Sequence, residues 1–364
     1  MNIGIIGAGQ LGRMIALAGY PMGLQFTFLD RSQAAPGAQV GDIILGHFTD
    51  PDGIAKLARE VSVLTYDVEN VPVEALQEAR GNVPVHPGPA ALAAAQDRLN
   101  EKQAFANHGI ATAPYRPVDS REDLQSAVEA LGLPAVLKRR RLGYDGRGQR
   151  FLHSSEDLDE AWEALGEAPL ILEGFVDFDR EVSLIGARNP SGETVFYPLT
   201  ENGHEDGILR YSLAPARGDG AQQKAETQMR ALMEDFDYAG ILTIEYFEKD
   251  GELIANEMAP RVHNSGHWTI EGAATSQFEN HLRGILDLPL GDPRPRGQAV
   301  MVNCLGGMPG LAEVLALPDT HYHDYGKAPR PRRKLGHVTA LRDAPGEREE
   351  VMERILKLVR AAEG

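Results

Sequence analysis

Cysteine is all but missing from these 364 residues, and a single Cys304 excludes an internal disulfide framework. Long apolar runs are missing as well: no uninterrupted stretch approaches the roughly 20 residues that a membrane helix needs. The apolar residues after Met1 are broken by glycine and polar groups into a strand and then a helix, which is not the pattern of a signal peptide. These absences point to a cytoplasmic protein with no membrane partner. Positive charge is in deficit, with 36 Lys and Arg against 53 Asp and Glu and a net charge of -17. Nucleic acid is therefore not expected as a partner, because phosphate backbones are held by surplus cations. The cations present are concentrated in Lys138-Arg139-Arg140-Arg141 and Arg330-Pro331-Arg332-Arg333-Lys334. Small anions respond to such local charge, although a solvated basic loop is the simpler account of a bare charge run.

The chain is longer than one hydrophobic core organises, so two or three domains are expected. Asn2 to Ile6 reads as a buried strand, Gly7 to Gly12 as a turn, and Leu11, Met14, Ile15 and Ala18 as one face of a helix. Strands at Gln25 to Leu29 and Val61 to Tyr66, a helix opened by Asp50-Pro51 and another at Val73 to Ala79 continue the alternation. A βαβαβα order of this kind predicts a Rossmann-like, parallel N-terminal sheet over about 1–92. An Ala-rich helix from Ala91 then carries Gln96, Asp97, Arg98 and Lys102. Beyond Ala113-Pro114 the pattern changes to strand pairs joined by turn residues, with helices at about 155–165 and 220–236, an α+β arrangement. The prolines between 289 and 297 read as a linker into a small, β-rich C-terminal module, about 291–364.

Five stretches carry chemistry. The turn GAGQLG, Gly7 to Gly12, fits the dinucleotide pattern, yet the same glycines and helix start suit any phosphate or a plain tight turn. In the hairpin predicted around Asp250-Gly251, Glu245 and Glu257 fall opposite each other or one diagonal step apart. Two carboxylates on one face repel unless a cation joins them, so Mg2+ beside nucleotide phosphates, with Asn256 adjacent, is one explanation and separate pairing or solvation the other. LGYDGRGQ, Leu142 to Gln149, places three glycines after Lys138; it lacks the G-K-[ST] of a Walker loop but suits a lid over phosphates as well as a plain hairpin. In PLILEGFVDFDREVSL an apolar strand ends at Glu173 and the chain passes Gly174-Phe175-Val176 to Glu181, which offers open backbone to a purine and a carboxylate to ribose hydroxyls, though an ordinary strand end explains the same letters as well. Finally NEMAPRVHNSGHWT crowds Arg261, His263, Asn264, Ser265 and His267 just past Glu257, donors that suit a small oxyanion. The histidines lack zinc-ligand spacing.

GAGQLGRM, TYDVENV, QDRLNEKQ, KRRRLGYDGRGQ, EGFVDFDREVSLIGAR, FYPLTENGHEDGILR, NEMAPRVHNSGHWT and RRKLGHV, in this order, resemble the ATP-grasp family and, within it, the N5-carboxyaminoimidazole ribonucleotide synthetases. The resemblance implies a pre-ATP-grasp domain at about 1–92, an ATP-grasp domain at about 93–290 with a small lid subdomain at about 112–178, and the C-terminal module. It implies a ligase that uses ATP, Mg2+ and bicarbonate to carboxylate 5-aminoimidazole ribonucleotide through carboxyphosphate, commonly as a homodimer. Carried over by motif, ATP falls on Arg98, Lys138, Gly143, Tyr144, Asp145, Gly146, Arg147, Gly148, Gln149, Glu173, Gly174, Phe175, Val176, Glu181, His204, Asn256 and Glu257, with Mg2+ on Glu245 and Glu257. Arg261, His263, Asn264 and Ser265 would hold bicarbonate or carboxyphosphate, while Tyr144, Asp145 and Arg147 close over the substrate. The ribonucleotide phosphate would lie between Gln10 and Leu11 and the basic residues Lys327, Arg333 and Lys334. Arg332 stands where the family usually has glycine.

Overall fold

The computed structural model describes residues 1–363 apart from 144, 145, 147 and 219. Its N-terminal sheet is parallel and four-stranded, in the spatial order Asp42–Leu45, Gln25–Asp30, Asn2–Ile6, Val63–Tyr66. The strands of this sheet are nearly continuous apolar runs because helices cover them. Strict alternation fails at one place: the strand Asp42–Leu45 follows Gln25–Asp30 with only a single-turn helix, Pro36–Gln39, between them. The strand is half exposed and too short to print a clear pattern. Asp50 caps helix Pro51–Glu60 by accepting from the Asp52 amide, as the Asp-Pro pair predicts.

The Ala-rich segment is two helices, Pro89–Ala95 and Arg98–Asn107, rather than one. Asp97 breaks it by taking extended backbone, capping the Leu99 amide and receiving two hydrogen bonds from Arg140 at 3.0 and 2.8 Å. That local competition for backbone donors is what an Asp at a helix start offers.

A four-stranded antiparallel sheet, in the order Tyr115–Val118, Leu170–Gly174, Ala135–Arg139, Gln149–Leu152, packs under helices Arg121–Leu131 and Asp157–Leu165 around its own apolar cluster. A nine-stranded sheet forms the rest, running from Glu252–Ala259 through Gly240–Lys249, Arg180–Arg188, Thr200–Glu205 and Ile208–Ala214 into Gln298–Leu305, Lys334–Arg342 and Thr320–Asp324, with the short Thr194–Phe196 paired beside Arg180–Arg188. The strands past the proline-rich stretch thus continue the central sheet, with helix Pro345–Ala362 packed on them. The parallel domain is joined to this sheet by one shared core in which Met14 and Phe26 meet Ile241, Phe278 and Leu282. Each fully buried aliphatic side chain of this kind contributes roughly 1.5–3 kcal/mol, so the seam is held firmly. A buried hydrogen bond between His281 Nε2 and Thr65 Oγ1, 3.0 Å, crosses it. Among the described residues no helix is long and apolar enough to cross a membrane.

Candidate active site

Asp250 and Gly251 both take the left-handed backbone that a two-residue hairpin turn demands, with φ of 51° and 78°. The turn pairs Lys249 with Glu252 and, carried on, would set Glu245 against Asn256; a bulge between Glu245 and Tyr246 shifts the register by one residue and places Glu245 directly opposite Glu257. Each is steadied from one side: Glu245 Oε1 lies 2.9 Å from His263 Nε2, and Glu257 Oε2 accepts from Arg98 at 3.0 Å. Burial opposes ionisation of Glu245, but His263 and then His204 and Lys334 hold its carboxyl down at about 2. The neighbouring Asn256 Oδ1 is buried without a hydrogen-bond partner. Two carboxylate carriers and an orphaned amide oxygen form a hard, all-oxygen donor set that suits Mg2+, which is bound through one or two carboxylates and completed by phosphates and water. Among the described residues there is no cluster of three or more acidic, His or Cys ligands, so a dedicated protein cage of the calcium or zinc type is absent.

Two cavities meet at this pair. One, about 380 Å³, is lined by Lys138, Gly146, Gln149, Glu173, Gly174, Phe175, Val176, Glu181, His204 and Asn256. The other, about 420 Å³, is lined by Gln10, Leu11, Gly143, Arg261, His263, Asn264 and Lys334. Arg98, His204, Glu245 and Glu257 face both. Of the residues expected at the site, Tyr144, Asp145 and Arg147 lie outside the described ones. Gly148 packs against the Arg139 side chain instead of lining either cavity.

The basic run before the glycine loop is not a solvated loop. Lys138 points inward to Glu173 at 2.8 Å, while Arg140 binds Asp97, so successive charges are taken up by different elements. Glu173 is itself wedged between Lys138 and a second, wholly buried cation, Lys102, 3.5 Å away. Burial favours the neutral acid, yet Lys138, Lys102 and Arg98 keep the Glu173 carboxyl at about 2. Its side chain is therefore part of a charged floor under the cavity, and only the backbone beyond it remains for a base. His204 and Glu181 are hydrogen-bonded to each other across adjacent strands; burial works against charge on the imidazole, but Glu181 raises its affinity for a proton.

On the other side, Arg261 pairs with Glu69 at 2.9 Å, and Asn264 exchanges two hydrogen bonds with Asn303, 3.0 and 2.8 Å. Ser265 is buried behind His263, its Oγ 2.9 Å from Nδ1. Lys334 lines this cavity, whereas Arg333 turns its guanidinium to the Ala328 carbonyl and Lys327 sits over the Tyr325 ring. Arg332 has φ 62°, a left-handed backbone that explains why glycine suits the position. Its guanidinium spans to the Asp206 carbonyl at 2.9 Å, and Gly146 packs against that same turn.

The N-terminal glycine turn departs most from expectation. Its amides do not await a phosphate: Gly9 and Gly12 donate to Asp67 Oδ2 at 2.8 and 3.1 Å, and Ala8 donates to Asp30 at 3.1 Å. The acid that a dinucleotide reading would give to a ribose is thus spent on the loop itself. Only the helix start at Gln10 and Leu11 faces the cavity. Burial pushes the Asp67 carboxyl up to about 6.

Motif reading missed Asp67, Glu101, Lys102 and Asn303. Lys102 was legible, because it stands four residues after Arg98 and so shares its helix face. Asn303 carries no local signal, since only the sheet pairing brings it to Asn264.

The chain matches three family models: a ribonucleotide synthetase preATP-grasp domain over 1–96, an ATP-grasp domain over 103–278 and a phosphoribosylaminoimidazole carboxylase C-terminal domain over 299–351. It is 49% identical over 339 residues to the N5-carboxyaminoimidazole ribonucleotide synthase of Pseudomonas aeruginosa, covering 93% of this chain and 94% of that one. The crystal structure of the corresponding synthetase from Thermus thermophilus superposes with a TM-score of 0.93 at 53% identity, over 98% of both chains. That of the Aspergillus clavatus synthase in complex with ADP and 5-aminoimidazole ribonucleotide gives 0.91 at 32% identity, over 99% and 98%. A parallel domain, a two-sheet nucleotide clamp and a C-terminal continuation of the larger sheet, all in the relatives' order and at these identities, place the chain in the ATP-grasp family of N5-carboxyaminoimidazole ribonucleotide synthases.

Proposed function

We infer that this chain is an ATP-dependent carbon–nitrogen ligase that carboxylates the exocyclic amine of 5-aminoimidazole ribonucleotide. Bicarbonate oxygen attacks the γ-phosphorus of ATP, the bond to the β-phosphate oxygen breaks, and ADP and carboxyphosphate result. Carboxyphosphate then loses phosphate as its carbon is taken by the amine, which gives up a proton and becomes the N5-carboxylate. The observation that carries this reading is the meeting of two cavities at Glu245 and Glu257, because the labile intermediate must form within reach of the amine and away from water.

In this reading the adenine and ribose lie along Glu173 to Val176 and Glu181, and Lys138 and Arg98 neutralise phosphate charge. Gly143 to Gln149 closes as the lid, with Tyr144, Asp145 and Arg147 brought over the substrate. Mg2+, held by Glu245 and Glu257, would supply charge neutralisation at the transferred phosphoryl group. Arg261, His263 and Asn264 receive bicarbonate, and Lys334 with the helix start at Gln10 and Leu11 receives the ribonucleotide phosphate. Lys327 and Arg333 add positive field from the same segment. A homodimer in the cytoplasm completes the proposal, the dimer supported by the resemblance and the compartment by the lone, buried Cys304.

The test is ADP release measured with ATP, bicarbonate and the ribonucleotide each omitted in turn. Dependence on all three is expected; ADP formation indifferent to the ribonucleotide, or stimulated by a different amine, overturns the assignment.

A further inference from the structure

Behind the anion pocket, polar side chains cross the large sheet in single file. Ser212 Oγ donates to Asn202 Oδ1 at 2.8 Å, Asn202 Nδ2 to Ser183 Oγ at 3.0 Å, and Ser183 Oγ to Ser265 Oγ at 2.8 Å. Ser265 Oγ then meets His263 Nδ1 at 2.9 Å, and His263 Nε2 meets Glu245 at 2.9 Å. All four hydroxyl and amide groups are buried, none more than 7% exposed. Strand register assembles the file: Asn202 faces Ser212, and Ser183 faces Glu245. Directly opposed residues share a face of the sheet.

The file has a direction. The backbone N–H of Ser265, which can only donate, also points at His263 Nδ1, 3.3 Å away. Nδ1 is therefore the acceptor, the ring hydrogen sits on Nε2, and the Glu245 carboxylate accepts it. With Ser183 donating into its oxygen, Ser265 has its own hydrogen left for the imidazole. Buried hydroxyls are costly unless bonded, and this file is satisfied bond by bond until it ends on a ring that lines the cavity.

We propose that Ser183, Asn202 and Ser212 are positioning residues of the carboxylation reaction, holding His263 through Ser265 so that its Nε2–H stays on Glu245 at the wall of the anion pocket. This rests on the placement of bicarbonate beside His263 proposed above. The alignment fixes two things at once, the anion pocket and the orientation of the carboxylate opposite Glu257.

The experiment uses the full chain labelled with ¹⁵N-histidine, the His263 signals being assigned by their loss in His263→Gln, together with steady-state ADP release in which each substrate is varied separately. In Ser183→Ala, kcat falls roughly tenfold, as for loss of a supporting hydrogen bond to a site ligand. The bicarbonate KM rises while the ATP KM stays within about twofold, and the Nδ1 resonance moves toward that of an unbonded pyridine-type nitrogen. Ser212→Ala, two bonds further out, moves the same quantities the same way by less. If Ser183→Ala does not fold, Ser212→Ala decides. Lowered thermal stability with kcat, bicarbonate KM and the Nδ1 resonance all at wild-type values overturns the proposal and leaves the file as core polarity alone. Wild-type ADP release that ignores bicarbonate instead defeats the functional reading, while the nitrogen resonance still tests the file.

Discussion

Lys102 Nζ lies 3.5 Å from Glu173 Oε1 although neither residue is more than 2% exposed. The same ammonium donates to the Asn256 carbonyl at 2.9 Å, so one cation ties the strand Leu170–Gly174, which carries Glu173, to the strand that carries Glu257. Such a brace fixes the floor of the cavity lined by Lys138 and Glu173 from below.

Removing that brace should be felt in both folding and binding. Lys102→Met leaves Glu173 with Lys138 and the more distant Arg98, and the Asn256 carbonyl without its donor, a loss expected to cost about 3 kcal/mol. Denaturant unfolding checks the stability, and calorimetric titration with ADP should show weaker binding; an unchanged unfolding midpoint would falsify the brace.

Glu257→Gln keeps shape and leaves a half-exposed position uncharged, so the fold should survive. Turnover of ATP should drop by at least about a hundredfold with a raised requirement for Mg2+, since the carboxylate is half of the donor pair. Near-normal turnover at ordinary Mg2+ would remove the metal assignment.

Lys334→Ala should act on a different substrate. Loss of one charge-assisted contact to a phosphate raises the ribonucleotide KM by roughly ten- to a hundredfold. The ATP KM is expected to stay put, and a matching rise in both constants would place Lys334 elsewhere in the mechanism.

Glu101 gives stability an unusual pH slope. Burial pushes its carboxyl from the ordinary 4.5 up to about 8, while Arg98 and Lys102 only partly oppose the shift. The unfolded chain releases this proton above pH 4.5 and the folded one does not, so Glu101 subtracts stability increasingly as pH rises toward 8. Glu173 and Glu245 act oppositely at the acid end: their depressed pKa values, about 2, contribute stability above the unfolded 4.5 that is lost as pH falls toward 2. Glu101→Gln retains an acceptor for the Met258 amide, which bonds Oε1 at 2.6 Å. Its melting temperature relative to the parent should climb between about pH 5 and pH 8; a constant difference across that range contradicts an acid kept protonated by the fold.

Gly7→Ala tests the loop. A Cβ there would sit 1.8 Å from Asp67 Oδ1 on a backbone with φ 93°, whereas at Gly23, φ 71°, nothing lies within 4 Å. Strain alone should cost Gly23→Ala on the order of 1 kcal/mol, and the added clash should take Gly7→Ala beyond about 3 kcal/mol. Equal melting temperatures for the two variants would mean the contact relaxes freely.

Much of this was written in local signals. Asp50-Pro51 gave a helix start and Asp250-Gly251 a turn, but it takes the bulge beside Tyr246, beyond what the turn sets, to bring Glu257 opposite Glu245. What stayed hidden depends on pairings remote in sequence. Ser183 meets Ser265 across 82 positions and Arg98 meets Glu257 across 159. The strand Asp42–Leu45 is short and half exposed, so periodicity could not show it. The split at Asp97 was obscured because helix-favouring residues flank it on both sides; its cap on Leu99 is local, but the Arg140 that holds its carboxylate is remote in sequence.

Asp67 changes what the N-terminal glycines mean. The loop carries an internal anion from its own chain, so its conformation is complete before any substrate arrives, and no arriving phosphate has to organise it. Glycine spacing of this kind records how closely a backbone must wrap something negative; here that something is a side chain at the end of a neighbouring strand. The pocket wall is a finished surface, and selection among phosphorylated ligands falls to the residues that stand on it.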